Sequence, residues 1–303
     1  MSTFEWQGVM PAITTPFRHD GSVDHEFLRD HASWLVDHGS TGIIPFGSLG
    51  EGATLELAER EAMLDTLVGA VGERVPVITA VSALSTAQAV GIARMAAAKG
   101  CRGLMVLPPY VHKGPWREIS AHFAAVFEAT ELPCMLYNNP IAYGVDALPE
   151  QIAELAERHP NLVAVKDSGG DHRRITAIRV LVGDRLALFA GLDDMPVEAV
   201  ACGARGWVAG LVNALPAESV ELFRRARAGE WEAAWELYAW FLPLLRLDTV
   251  PEFVQLIKLV QQEVGMGSER VRPPRMPIQG PERDRVLALI HDAQARNPLS
   301  RGR

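Results

Sequence analysis

Pro133-Cys134-Met135-Leu136-Tyr137-Asn138, then Pro149–His159, then Leu162-Val163-Ala164-Val165-Lys166: an apolar run, a segment with helical spacing and a second apolar run follow in direct succession. Short apolar runs bounded by Gly or Pro are the pattern of strands buried on both faces, as parallel strands are. A helical segment between two such runs makes a crossover unit. The same rhythm extends in both directions. Upstream lie the runs Val9–Thr14, Gly42–Phe46, Val75–Val81 and Gly103–Leu107; downstream lie Leu186–Ala190 and Gly206–Gly210. Helical spacing fills the intervals at Phe27–His38, Ala58–Gly72, Thr86–Lys99, Trp116–Thr130, Arg174–Val182 and Met195–Cys202, and Pro216–Ala228 follows the last run.

Eight strand–helix units within about the first 228 residues predict an α/β fold, a (β/α)8 TIM barrel. A doubly wound sheet usually has fewer strands and often carries a nucleotide fingerprint in its first turn. Here the first run leads into Thr14-Thr15-Pro16-Phe17. Beyond residue 228 the pattern changes. Trp231, Trp235 and Leu237 stand at helical spacing, as do Phe253, Ile257 and Val260. Val286, Leu287, Leu289 and Ile290 mark a last helix after the Pro-rich connector Arg272–Pro281. The expected organisation is a catalytic barrel over 1–228 and a C-terminal helical extension over 229–303, which packs on the barrel or serves an oligomer contact.

Composition narrows the function. The 303 residues carry 29 Lys+Arg and 37 Asp+Glu, a net charge of −8. That argues against a nucleic-acid partner but leaves room for a small anion held locally. Cys101, Cys134 and Cys202 stand far apart without a C-x-x-C pair, which reads as buried thiols in a reducing compartment. No apolar stretch approaches a membrane span. Met1–Trp6 lacks the pattern of a signal peptide. The expectation is a cytoplasmic protein with no membrane partner.

Barrel chemistry sits at the C-terminal ends of the strands. Lys166 ends the sixth run. Burying a charged ammonium there is expensive, and a partly neutral amine is what nucleophilic attack on a ketone needs. A lysine that emerges at the rim and pairs with Asp167 or another carboxylate fits the position equally well. Tyr137 ends the neighbouring run; it is a proton shuttle beside that amine or an ordinary rim tyrosine. The loop Gly47-Ser48-Leu49-Gly50-Glu51 follows the second run. Its glycines and consecutive N–H groups suit a carboxylate, or only a tight strand-to-helix turn. Tyr110 follows the fourth run and reads as a loop aromatic that packs locally. His31 and His38 share a helix face and read as solvated. The nine histidines show no metal spacing, so no metal is expected. The five arginines of Arg270–Arg285 stand among acids and read as a connector.

Together these residues resemble the dihydrodipicolinate synthase / N-acetylneuraminate lyase family of Schiff-base barrel enzymes. The resemblance rests on Pro11–Phe17, Gly47–Glu51, Tyr137–Pro140, Val165–Asp167 and Ala190–Asp194, in that order. It implies a homotetramer that needs no cofactor. Lys166 would form an imine with a 2-oxo acid and Tyr137 would shuttle protons. Gly47, Ser48 and Leu49 would hold the substrate carboxylate, with Val208 lining the site. Tyr110, Gly191, Ala142 and Tyr143 are further candidates.

Three positions depart from the family pattern. Leu49 stands where many members carry a second hydroxyl beside Ser48. Val111 aligns with the tyrosine that lysine-pathway members extend across a subunit interface, and Tyr110 is one position off. Ala142 falls near the arginine that binds the carboxylate of aspartate semialdehyde in the synthases. Losing such a partner costs about 2–5 kcal/mol in a desolvated site. The expected activity is therefore a catabolic lyase: a dehydratase, deaminase or aldolase acting on a 2-keto-3-deoxy sugar acid or a hydroxy-pyrroline carboxylate. The alternatives are 4-hydroxy-tetrahydrodipicolinate synthase, which condenses pyruvate with aspartate semialdehyde, and a ligand-binding barrel without catalysis. The last would have no need of Lys166 and Tyr137.

Overall fold

The computed structural model describes residues 4–300. Met1–Thr3 of the N-terminal stretch and the last three residues of the expected extension lie outside them. Seven parallel strands form one curled sheet: β1 (Gly8–Pro11), β2 (Ile78–Val81), β3 (Gly103–Val106), β4 (Cys134–Asn138), β5 (Leu162–Asp167), β6 (Ala187–Ala190) and β7 (Gly206–Ala209), in the order β1-β7-β6-β5-β4-β3-β2. Every residue of β2 and β3 is buried. This is why these runs lack the alternation of a half-exposed sheet.

The run Gly42–Phe46 closes the ring between β1 and β2, but as single bridges and not as the eighth ladder that the sequence predicts. Ile44 bridges Ala12 and Ile43 bridges Val77. The Ile44 N–H donates to the Pro11 carbonyl at 2.9 Å, and that of Ile43 to the Pro76 carbonyl at 3.0 Å. Pro11, Pro45 and Pro76 all fall on these two seams, and each removes a donor that a full ladder would use. The architecture is a (β/α)8 barrel whose second stave is held by few bonds.

The helices are α1 (His25–Asp37), α2 (Leu57–Val71), α3 (Thr86–Ala98), α4 (Trp116–Glu128), a one-turn α5 (Pro140–Tyr143), α6 (Pro149–Arg158), α7 (Arg173–Val182), α8 (Pro196–Ala201) and α9 (Pro216–Arg227). The C-terminal helices are α10 (Trp231–Leu245), α11 (Phe253–Glu263) and α12 (Gly280–Ala295). Local chemistry sets the starts. The Asp24 carboxylate accepts from the Phe27 N–H before α1, and the Ser85 hydroxyl from Gln88 before α3. Proline opens α5, α6, α8 and α9, where its missing N–H costs nothing. Helix α10 packs on α9 and α12, and no helix among the described residues is long and apolar enough to cross a membrane.

Two smaller expectations fail. His31 is fully buried, because the inward face of α1 is Leu28, His31, Ala32 and Leu35. Its Nε2 lies 2.8 Å from the Asn213 carbonyl oxygen, which supplies the polar partner a buried imidazole needs. Burial pulls this imidazole down to about 4, and the Asn213 hydrogen bond opposes the shift. Cys202 is only half-buried at the end of α8, whereas Cys101 and Cys134 are buried.

Candidate active site

Parallel register brings the two expected catalytic side chains together. Tyr137 on β4 stands opposite Lys166 on β5, and Lys166 stands opposite Phe189 on β6. Lys166 is 6% exposed, with its Nζ 4.2 Å from the centre of the Tyr137 ring. The rim ion pair left open by the sequence does not form. Asp167 points to the other face of the strand, where it accepts from Asn138 Nδ2 at 3.0 Å, the Gly169 N–H at 2.9 Å and Arg174 Nε at 3.2 Å. Among the described residues Lys166 Nζ has neither a hydrogen bond nor an ion pair. An amine so placed faces an open space, and that space is a cavity of about 460 Å³.

The cavity gathers residues from the whole ring. Gly47, Ser48, Leu49, Tyr137, Ala142, Lys166, Gly191 and Val208, all expected from the sequence, line it. Gly191 leaves space that the lysine uses: a Cβ there would lie 2.9 Å from Lys166 Cε. Tyr143 and Tyr110 do not line the cavity. The Tyr143 hydroxyl instead lies 2.5 Å from Ser48 Oγ, and its ring meets those of Tyr137 and Tyr110 edge-on at 5.8 and 5.7 Å. Burial, then the Tyr137 and Tyr110 phenols beside it, push the Tyr143 phenol well above its usual value. Tyr110 lines a separate surface groove with Arg60 and Leu84. Val111 is 83% exposed. The Tyr137 hydroxyl accepts from Asn139 Nδ2 at 2.9 Å.

Among the described residues, the loop after the second stave leaves backbone donors unpaired beside the cavity. Phe46 and Glu51, which flank Gly47–Gly50, both take left-handed backbone conformations with φ of 68° and 53°. The N–H groups of Ser48 and Leu49 find no acceptor among the described residues, and Ser48 and Leu49 both face the cavity. Glu51 fastens the loop from behind. Its carboxylate accepts from Lys258 Nζ at 2.5 Å and from the Arg272 N–H at 3.0 Å.

Sequence reasoning missed the wall contributed from beyond residue 228. Asp248, Thr249, Val250, Pro251 and Phe253 close one side of the cavity. The available signal was the polar break Asp248-Thr249 with Pro251, set between two apolar helical stretches. Asp193, within the stretch Ala190–Asp194, had no role expected from the sequence. It is fully buried and accepts from Trp207 Nε1 at 3.1 Å and from the N–H groups of Gly210 and Leu211 at 3.0 and 2.6 Å. Burial pushes this carboxyl up to about 6, against the pull of those donors and of Lys166.

A family model for the dihydrodipicolinate synthetase family matches residues 5–293. The chain belongs to that family. A 4-hydroxy-tetrahydrodipicolinate synthase from Geotalea uraniireducens is 33% identical over 291 residues, spanning 95% of this chain and 98% of its own. The solved dihydrodipicolinate synthase of Bacillus anthracis superposes with a TM-score of 0.91 at 29% identity, covering 95% of this chain and 99% of that one. YagE, an E. coli prophage protein of the same family solved in complex with pyruvate, has a TM-score of 0.89 at 25% identity over 95% of this chain and 99% of its own. Dihydrodipicolinate synthetase family members are aldolase-type lyases, and this chain is an enzyme of that class.

Proposed function

We propose that the chain is a Schiff-base lyase in which Lys166 forms an imine with the C2 carbonyl of a small 2-oxo acid. One observation carries the reading: the buried Lys166 amine, without a polar partner, opens on the cavity beside Tyr137. Attack by the amine gives a carbinolamine, and loss of water gives the iminium. The iminium is an electron sink, so a C3 proton or the C3–C4 bond can be given up. Tyr137 moves protons beside Lys166, and the Ser48 and Leu49 N–H groups hold the substrate carboxylate. Val208 and Gly191 bound the space next to the imine carbon.

The second end of the substrate decides between activities. Lys166 is the sole Lys or Arg among the residues lining the cavity, and Ala142 offers no cation. That favours a 2-keto-3-deoxy sugar acid or hydroxy-pyrroline carboxylate over a substrate with a second carboxylate. The relatives named 4-hydroxy-tetrahydrodipicolinate synthase support the synthase as the second reading. On the favoured reading the enzyme is cytoplasmic and catabolic, needs no cofactor, and works as a homo-oligomer, a tetramer by family resemblance. The proposed division keeps the catalytic barrel at 1–228 and the extension at 229–303, with the cavity built from both.

The test is to incubate with pyruvate, reduce with borohydride and map the added mass. An adduct on Lys166 is expected. No adduct with any of several 2-oxo acids removes both enzymatic readings. Efficient coupling of the pyruvate adduct to aspartate semialdehyde moves the assignment to the synthase.

A further inference from the structure

The imine chemistry leaves the Asp248 carboxyl of the cavity unused. Asp248 ends the short helical turn Arg246–Asp248 between α10 and α11 and lines the same cavity as Lys166. The residue is partly exposed, but its Oδ1 is buried and has no hydrogen-bond partner among the described residues. A buried carboxyl oxygen is costly to leave unpaired as an anion, which favours the neutral carboxyl on a side chain that lines the cavity. The placement depends on Gly210, where a Cβ would lie 2.1 Å from Asp248 Oδ1. The neighbouring acids are occupied. Asp193 is held by Trp207 and by the N–H groups of Gly210 and Leu211, and Asp194 lies 3.9 Å from Arg246.

Asp248 is therefore the wall carboxyl whose unpaired oxygen is buried. Asp193 lies beside it across Gly210, and two carboxyls in one dry site do not readily both ionise. Burial first, then the Asp193 charge, push the Asp248 carboxyl well above its usual range, with Lys166 pulling the other way.

Resting on the imine reading above, we propose that Asp248 is the acid that protonates the departing C4 oxygen of a bound 4-hydroxy-2-oxo acid, so that the enzyme eliminates water and does not cleave C3–C4. The substrate carboxylate lies at Ser48 and Leu49 and C2 is bound to Lys166. C3 and C4 then run along the wall of Gly191, Val208 and Gly210, which Asp248 shares. The C3 proton leaves to a base beside the imine. The C2=C3 enamine pair forms C3=C4 and restores the iminium as the C4–O bond breaks, and the oxygen takes the Asp248 proton and departs as water. The proton taken from C3 restores the acid, so the step needs no oxidant, reductant or co-substrate. Aldol cleavage needs the opposite, a base for the C4 hydroxyl proton, and a protonated carboxyl cannot serve.

The experiment compares wild type with Asp248→Asn and Asp248→Leu. Three quantities are read: the borohydride-trapped pyruvate adduct on Lys166, solvent deuterium uptake at C3 of pyruvate, and loss of water from 2-keto-3-deoxygluconate by mass. Both variants are expected to keep the adduct and the C3 exchange while elimination falls on the order of a hundredfold or more. Elimination within about threefold of wild type in the variants overturns the proposal. So do pyruvate and glyceraldehyde as the wild-type products, or loss of adduct and exchange in both variants. Wild type that eliminates water from neither 2-keto-3-deoxygluconate nor 1-pyrroline-4-hydroxy-2-carboxylate overturns it too. In those cases a wild-type adduct on Lys166 leaves the imine reading standing. Absence of that adduct removes both.

Discussion

Two lysines are buried in this molecule, and they are treated in opposite ways. Lys258 on α11 is 2% exposed. Its Nζ donates to Glu51 at 2.5 Å and to the Arg270 carbonyl at 2.7 Å, and lies 4.5 Å from the centre of the Phe17 ring. Lys166 is nearly as buried, but among the described residues its Nζ has no hydrogen bond or ion pair and lies over the Tyr137 ring at the cavity. Burial pulls Lys258 down to about 8, with the Glu51 carboxylate opposing it. A buried cation with its donors satisfied is a strut. One left without partners is available to a substrate.

That contrast predicts a crossed result. Lys166→Met should abolish the pyruvate adduct and turnover, because no other amine lines the cavity. Its stability should change by no more than about 1 kcal/mol, since no direct hydrogen bond or ion pair is broken. An adduct that persists on another lysine breaks the assignment. Lys258→Met should do the reverse. It takes the 2.5 Å cation from the buried Glu51 carboxylate and leaves only Arg275 at 3.9 Å, which costs about 3–5 kcal/mol, while the folded fraction still forms the adduct on Lys166. Adding Glu51→Leu to Lys258→Met should recover part of the loss. Urea unfolding reads both, and a loss below about 1 kcal/mol for Lys258→Met would make the pair incidental.

His31 offers a smaller test of the same idea, that a buried basic group is tolerated only on fixed terms. Its folded value of about 4 lies below the ordinary histidine value of about 6.5. Between these values the unfolded chain binds more protons, so stability is lost as pH falls from 6.5 towards 4, by up to about 3 kcal/mol. Asp193, raised to about 6, works in the opposite direction over the lower part of that window. The measurement is therefore a difference: His31→Gln keeps a donor for the Asn213 carbonyl and should flatten the acid limb relative to wild type. Parallel limbs in the two proteins would mean that His31 does not titrate as its burial requires.

How much of this was legible depends on the range of the interaction. The strand–helix rhythm is local, and strands buried on both faces announce themselves as apolar runs. Lys166 and Tyr137 were legible because a strand end can be read from the run that precedes it. The weak second stave was not, since its failure to form a ladder comes from prolines on three separate segments. The Glu51–Lys258 pair joins residues 207 apart, and nothing in either neighbourhood names the other. Asp248 was missed for the same reason. Only the packing of the turn between α10 and α11 over Gly210 turns a polar break between helices into a wall of the cavity.

The tyrosines repeat the contrast between the lysines at the lowest energy. Tyr143 is partly buried and hydrogen-bonded to Ser48, like the strut, and Tyr137 faces the Lys166 amine. Removing the Tyr143 hydroxyl forfeits one hydrogen bond, a net effect of about 1 kcal/mol, or about fivefold in an equilibrium constant. Because the bond ends on Ser48, which borders the N–H groups that face the cavity, Tyr143→Phe should raise KM about fivefold and leave kcat nearly unchanged. Tyr137→Phe should do the opposite, slowing proton transfer more than it weakens pyruvate binding. Steady-state kinetics on both variants, with the pyruvate adduct measured in parallel, separates the roles. If Tyr143→Phe stops turnover and Tyr137→Phe does not, the proton path runs through Ser48. A satisfied polar group in this barrel would then be no guide to which residues only hold the site in place.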